Sequence, residues 1–156
     1  MYKVAFILAS TAIIFLGYSI YTEYTSTKSG EFVQLTVNRD VIDAEVVRSI
    51  TARTQGLSGR TSLEPNTGML FVFPETQYPS IWMKDMNFAI DIIFIDADGK
   101  VVAIFENASP ESYREVPPRI FKTLEASRYV LEVPAGTVAD TRLRTGMDIT
   151  ELNTFR

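Results

Sequence analysis

Three side chains in the middle of the chain have chemistry out of keeping with their neighbours. Trp82 and Lys84 lie in the run Ile81-Trp82-Met83-Lys84-Asp85, and Asp91 opens the run Asp91-Ile92-Ile93-Phe94-Ile95. A charge inside apolar sequence is costly unless it is paired or hydrogen-bonded. If Ile81–Asp85 and Ile90–Ile95 pair through the loop Met86-Asn87-Phe88-Ala89, Lys84 falls opposite Asp91. Period-2 alternation then puts Trp82 on the same face, and Trp82, Lys84, Asp91 and Ile93 cluster. A one-residue slip would separate the pair. An indole wall with an ammonium and a carboxylate suits a small polar or sugar-like ligand. The same residues could equally form an ion pair that fixes the hairpin register beside a core Trp.

Other candidates lie further out. Arg53 and Arg60 flank Gly56-Leu57-Ser58-Gly59. They could bind an anion by fork geometry, or tie a helix end to nearby carbonyls with Glu132 as a partner. The pairs Asp91–Glu132 and Asp85–Asp91 could do glycosidase-like work if spaced about 5 or 7–9 Å apart. Asp96-Ala97-Asp98-Gly99 begins like a calcium loop but lacks the later oxygen ligands, so it reads as a hairpin turn.

The chain has 156 residues, with no cysteine and no histidine. Disulfides, thiolate nucleophiles, Ser-His-Asp triads and imidazole- or thiolate-held metals are therefore excluded. No metal or other cofactor is expected, no catalytic residue is assigned, and an enzyme is the less favoured class. The net charge is −4 with no basic stripe, so nucleic acid is not an expected partner.

The elements that must position these residues begin after a long apolar segment. Val4–Tyr21 carries no charge; as a helix it spans about 27 Å, close to the hydrocarbon core of a bilayer. Lys3 precedes it and Glu23 follows, which favours the N-terminus inside and the rest outside. A single-pass anchor over residues 1–21 is the preferred reading, with a cleaved signal peptide and a secreted product as the alternative. Residues 22–30 read as a linker and 31–156 as the globular domain. Phe32–Val37 and Val41–Arg48 alternate and should form a hairpin around Asn38-Arg39-Asp40. Ser49 should cap a short helix reaching Gln55 or Leu57. Met69–Phe73 reads as a strand buried on both faces. Asp98-Gly99 should turn Ile90–Ile95 back into Lys100–Phe105. Asn107–Arg119 reads as an irregular loop, Ile120–Ala126 as a helical turn and Tyr129–Val133 as a strand. Thr137–Arg144 reads as a short helix stopped by Gly146, and Met147–Leu152 as a last strand. The sum is an α+β domain: a compact, curved, mainly antiparallel β-sheet or small barrel with two short helices, preceded by a transmembrane helix.

Several motifs occur together in one order: Arg53-Thr54-Gln55-Gly56-Leu57, Arg60, Leu63, Gly68-Met69-Leu70-Phe71-Val72-Phe73, Trp82-Met83-Lys84, Asp91-Ile92-Ile93-Phe94, Val130–Gly136 and Gly146. In these the chain resembles the bacterial and archaeal "domain of unknown function 192" family, over roughly Phe32–Leu152. The resemblance implies a compact β-rich domain, often exported or membrane-tethered, and no established activity. Trp82, Lys84 and Asp91 fall on its signature positions, as do Arg53, Gly56, Arg60 and Glu132. The chain departs from the pattern where Asp85-Met86 replaces Asn-Thr, Ala89 replaces Pro and Ser58 replaces Met. The family's Gly-Asp near the end reads Gly146-Met147-Asp148. The expected function is a membrane-tethered, extracytoplasmic (periplasmic) binding or accessory domain for a small polar ligand or an envelope protein. A carboxylate- or lysine-dependent hydrolase of envelope material and a structural interaction module are the alternatives.

Overall fold

The computed structural model describes residues 30–155. The anchor expected over residues 1–21 and nearly all of the linker lie outside the described residues. Among the described residues no helix is long and apolar enough to cross a membrane.

The first strands follow directly from alternation. Strand β1 (Glu31–Val37) buries Leu35 and Val37, and β2 (Asp40–Val47) buries Ile42, Ala44 and Val46. They pair antiparallel with Val37 opposite Asp40, across a turn in which Asn38 has φ 60°. Asn tolerates that left-handed conformation better than most residues. Helix α1 (Ile50–Gln55) starts where Ser49 Oγ accepts the Ala52 N–H at 3.1 Å. It carries the chain over to β3 (Thr67–Gln77), which runs parallel to β2.

The remaining strands are β4 (Ser80–Ile81), β5 (Ile90–Ile95), β6 (Val101–Ala108), β7 (Phe121–Lys122) and β8 (Ser127–Pro134), and helix α2 is Thr137–Thr141. The main sheet has the order β1-β2-β3-β8-β5-β6, and β4 and β7 form a separate two-stranded ribbon. Among the described residues only the β2–β3 pair is parallel. The central strands are mostly apolar because side chains pack against both sheet faces. One face carries Leu70, Ile93, Tyr129, Leu131 and Val133, packed with Val138 of α2 and Ile149. The other carries Met69, Phe71, Ile90, Ile92, Phe94 and Val130, packed with Leu57, Met83 and Phe121.

Several expectations are corrected. The sheet is open, with β1 and β6 as its edges, and does not close into a barrel. The tail forms only isolated bridges, Val37 to Ile149 and Lys100 to Asp148, instead of a last strand, and ends in a 3-10 helix, Leu152–Phe155. Helix α2 stops at Arg142, itself in the left-handed region, well before Gly146. The segment read as an irregular loop begins with the end of β6 and contains the 3-10 helix Pro110–Arg114. The expected helical turn after it is the strand β7.

The central hairpin is also corrected. Strand β5 pairs with β6 on one edge and β8 on the other, so it has no edge left for Ile81–Asp85. Ile81 pairs instead with Phe121 of β7.

Candidate functional site

Asp91 is fully buried, and its carboxylate is satisfied by backbone alone. Its Oδ1 accepts the Asn107 N–H at 2.8 Å, and its Oδ2 accepts Gly136 N–H at 3.0 Å and Val138 N–H at 2.9 Å. Gly136 is the N-cap of α2, at φ 94°, and has no side chain to cap with. Asp91 therefore supplies from β5 the acceptor that a Ser or Asp at the cap would give. Along β5, Asp91 alternates with Ile93 and Ile95 onto the face that carries α2.

Trp82 and Lys84 lie elsewhere, on the loop between β4 and β5. Met83 is buried and pins that loop to the opposite sheet face. Three hydrogen bonds tie it to the chain after α1. Ser58 Oγ donates to Lys84 O at 2.8 Å, Gly59 N donates to Asp85 O at 2.8 Å, and Asn87 Nδ2 donates to Arg60 O at 2.8 Å. Asp85 sits at φ 55°. Asn and Asp are the residues that best accept this geometry, so Asp85 meets a local backbone need. Lys84 points to solvent and Trp82 is 44% exposed. The Lys84–Asp91 pair is thus absent, and the proposed cluster of Trp82, Lys84 and Asp91 divides across the sheet. Trp82 and Lys84 remain neighbours, lining an open groove with Thr51, Gln55 and Asp85.

A second, smaller cleft adjoins that groove. It measures about 210 Å³. Its walls are α1 with the turn after it (Arg53, Gln55, Ser58), the β4 end with Trp82, and Phe71 and Phe73 of β3. Glu132 of β8 lines it from the sheet. In the ladder Glu132 lies opposite Met69 on β3 and Ile92 on β5. Two glycines make this approach close. A Cβ on Gly68 would sit 2.8 Å from Glu132 O, and one on Gly56 would sit 3.2 Å from the Phe71 ring, where Gly56 also has φ 50°.

Glu132 is 5% exposed, and among the described residues its carboxyl has no hydrogen bond and no ion pair. Burial alone pushes its pKa up to about 8. At neutral pH it is mainly the neutral acid, a donor and acceptor facing the cleft. The arginines expected to pair with it do not. Arg60 Nη2 meets Glu45 Oε2 at 2.7 Å. Arg53 donates through Nη1 to Arg48 O and, at 3.2 Å, to Val72 O, and stacks over Phe73 with its Cζ 5.0 Å from the ring centroid. Arg53 still lines the cleft, whereas Arg60 does not.

Asp91 and Glu132 face opposite sides of the sheet, which separates the carboxylates of the glycosidase-like arrangement. Asp85, on an exposed turn, is likewise remote from the buried Asp91 face. No group of three or more acidic side chains among the described residues is placed to hold a metal ion. Of the six candidates, the structure brings Trp82, Arg53 and Glu132 to one cleft, sets Lys84 at its outer groove, and assigns Asp91 and Arg60 to structural contacts. Phe71, Phe73, Ser58 and Ile90 also line the cleft and were not anticipated. Their signal in the sequence was weak, because each looks like ordinary core or turn. The available clue was Glu132 itself, a lone charge among buried β8 residues.

The fold occurs in solved proteins. A Sinorhizobium meliloti 1021 protein, provisionally named a transcription regulator, is 34% identical with a TM-score of 0.68, over 76% of this chain and 91% of that one. A protein of unknown function from Novosphingobium aromaticivorans DSM 12444 is 26% identical with a TM-score of 0.71, over 78% and 86%. No curated protein matches the chain. Residues 33–150 match the family described as DUF192, uncharacterized ACR, and the chain belongs to that family.

Proposed function

We propose that the domain is a binding module whose ligand enters the cleft between α1 and the sheet and hydrogen-bonds to Glu132. The observation that carries this is the carboxyl of a residue only 5% exposed, without a partner among the described residues, at the wall of a preformed cleft. Burial raises the pKa of this carboxyl, so it can donate to a ligand seated in the cleft as well as accept from it. The cleft is smaller than the roughly 300–1,000 Å³ of drug-sized sites, so the ligand is small. The apolar segment Val4–Tyr21 supports the further proposal that the domain is tethered to a membrane and works outside it. The regulator name of the Sinorhizobium protein does not carry over to this chain, whose net charge of −4 is unsuited to a nucleic-acid surface.

A thermal-shift screen of the full chain with small metabolites tests the binding reading. A ligand at 100 times its Kd should add about 2.7 kcal/mol to native stability. The shift should be lost in Glu132→Leu, a variant that fills the cleft floor without a polar group. A ligand that shifts both proteins equally would place its site elsewhere. For the tether, full-length protein retained in the membrane fraction is the expected result, and a shorter soluble product would contradict it.

A further inference from the structure

The charges around the cleft define the ligand further, on the basis of the binding reading above. Of the residues that line it, only Arg53 and Glu132 are ionisable acids or bases carrying formal charge at neutral pH in the unfolded chain. Glu132 is held neutral by its burial. Arg53 is then the one permanent charge of the lining. Both of its hydrogen bonds run through Nη1, which leaves Nε and Nη2 without a hydrogen-bond partner among the described residues. A guanidinium with an open edge matches the two oxygens of a carboxylate. The rest of the wall is largely apolar: Phe71, Phe73, Ile81 and Ile90. An apolar cavity of about 150 Å³ holds a benzene ring, so a cleft of about 210 Å³ has room for a body of that size and one polar group.

We propose that the cleft takes small monocarboxylates, with the apolar body against Phe71 and Phe73 and the carboxylate set between the free edge of Arg53 and the Glu132 carboxyl, hydrogen-bonded to both. An amine of the same shape would bring a second cation to a wall that already has one. An amide would fit the space but forgo the ion pair.

Trp82 is the single Trp of the chain and lines the same cleft, so its fluorescence reports occupancy directly. The experiment titrates the full chain with three matched series: benzoate and hexanoate, their primary amides, and the corresponding amines. The carboxylates should change Trp82 emission saturably and bind about tenfold or more tightly than the amides, and the amines more weakly still. Arg53→Met should erase the preference for the carboxylate over the amide, and Arg53→Lys should retain part of it. The wild-type ranking decides the matter even if Arg53→Met fails to fold. Tighter binding by amides or amines would overturn the carboxylate assignment while leaving the cleft a binding site. No response to any of the three series would overturn both.

Discussion

At the scale of single residues, two buried carboxylates have opposite fates. Asp91 receives three backbone N–H groups and ties β5 to the end of β6 and the start of α2. Asp91→Ala should cost about 3 kcal/mol or more in denaturant unfolding, since it leaves those donors without an acceptor. Lys84→Met should stay within about 0.5 kcal/mol of wild type, because the Lys84 side chain is exposed. Equal destabilisation by the two would restore the ion pair that the structure lacks. Glu132 has no such partner among the described residues, and burial raises its pKa to about 8. The folded protein therefore binds its proton more tightly than the unfolded chain does. The resulting stability is fully present below the unfolded value of about 4.5 and is lost as pH rises through about 8. Glu132→Gln keeps the shape and removes the titration. Relative to wild type it should gain on the order of a few kcal/mol between pH 5 and pH 9, measured as the difference in melting behaviour. An unchanged difference across that range would show that Glu132 is solvated.

At the scale of elements, the cleft exists because three connections converge over one sheet face. Helix α1 and its turn form one wall, the β4–β7 ribbon holds the Trp82 loop, and β8 presents Glu132 between β3 and β5. Edge-to-face rings from Phe94 through Phe105 to Phe121, at 5.8 and 5.5 Å, fix the ribbon to the sheet. Gly68→Ala should destabilise by about 1–3 kcal/mol in equilibrium unfolding, because its Cβ would meet backbone and not a movable side-chain end. Wild-type stability in that variant would mean that β3 and β8 are further apart at Glu132 than described. The local elements were legible in the sequence: the Asn38-Arg39 turn, the Ser49 cap and the Asp98-Gly99 hairpin each carry their own chemistry in a few residues. The partners of β5 were not legible. Alternation tells which face a residue takes but not which distant strand supplies the edge, and β8 is more than thirty residues away in sequence. Lys84 and Asp91 were assigned to each other from proximity in sequence, and β8 occupies the edge that such a pairing required.

At the scale of the whole molecule, the domain uses both faces of an open sheet for different ends. The face under α2 is closed by Leu143, Ile149, Leu152 and Phe155 as well, and its one buried acid is fully bonded. The other face is incompletely covered and opens at the cleft. The site was half legible: Trp82, Arg53 and Glu132 were named from the sequence, but the side of the sheet each occupies follows from the long-range pairing of β3, β8 and β5. The functional account depends on a neutral, unpaired acid at that opening. The most direct test is the titration of the Glu132 side-chain carboxyl carbon by NMR in the ligand-free protein. A midpoint near 8 is the expected result. A midpoint near 4.5, the ordinary value for a glutamate in water, would contradict it and remove the basis for the binding site.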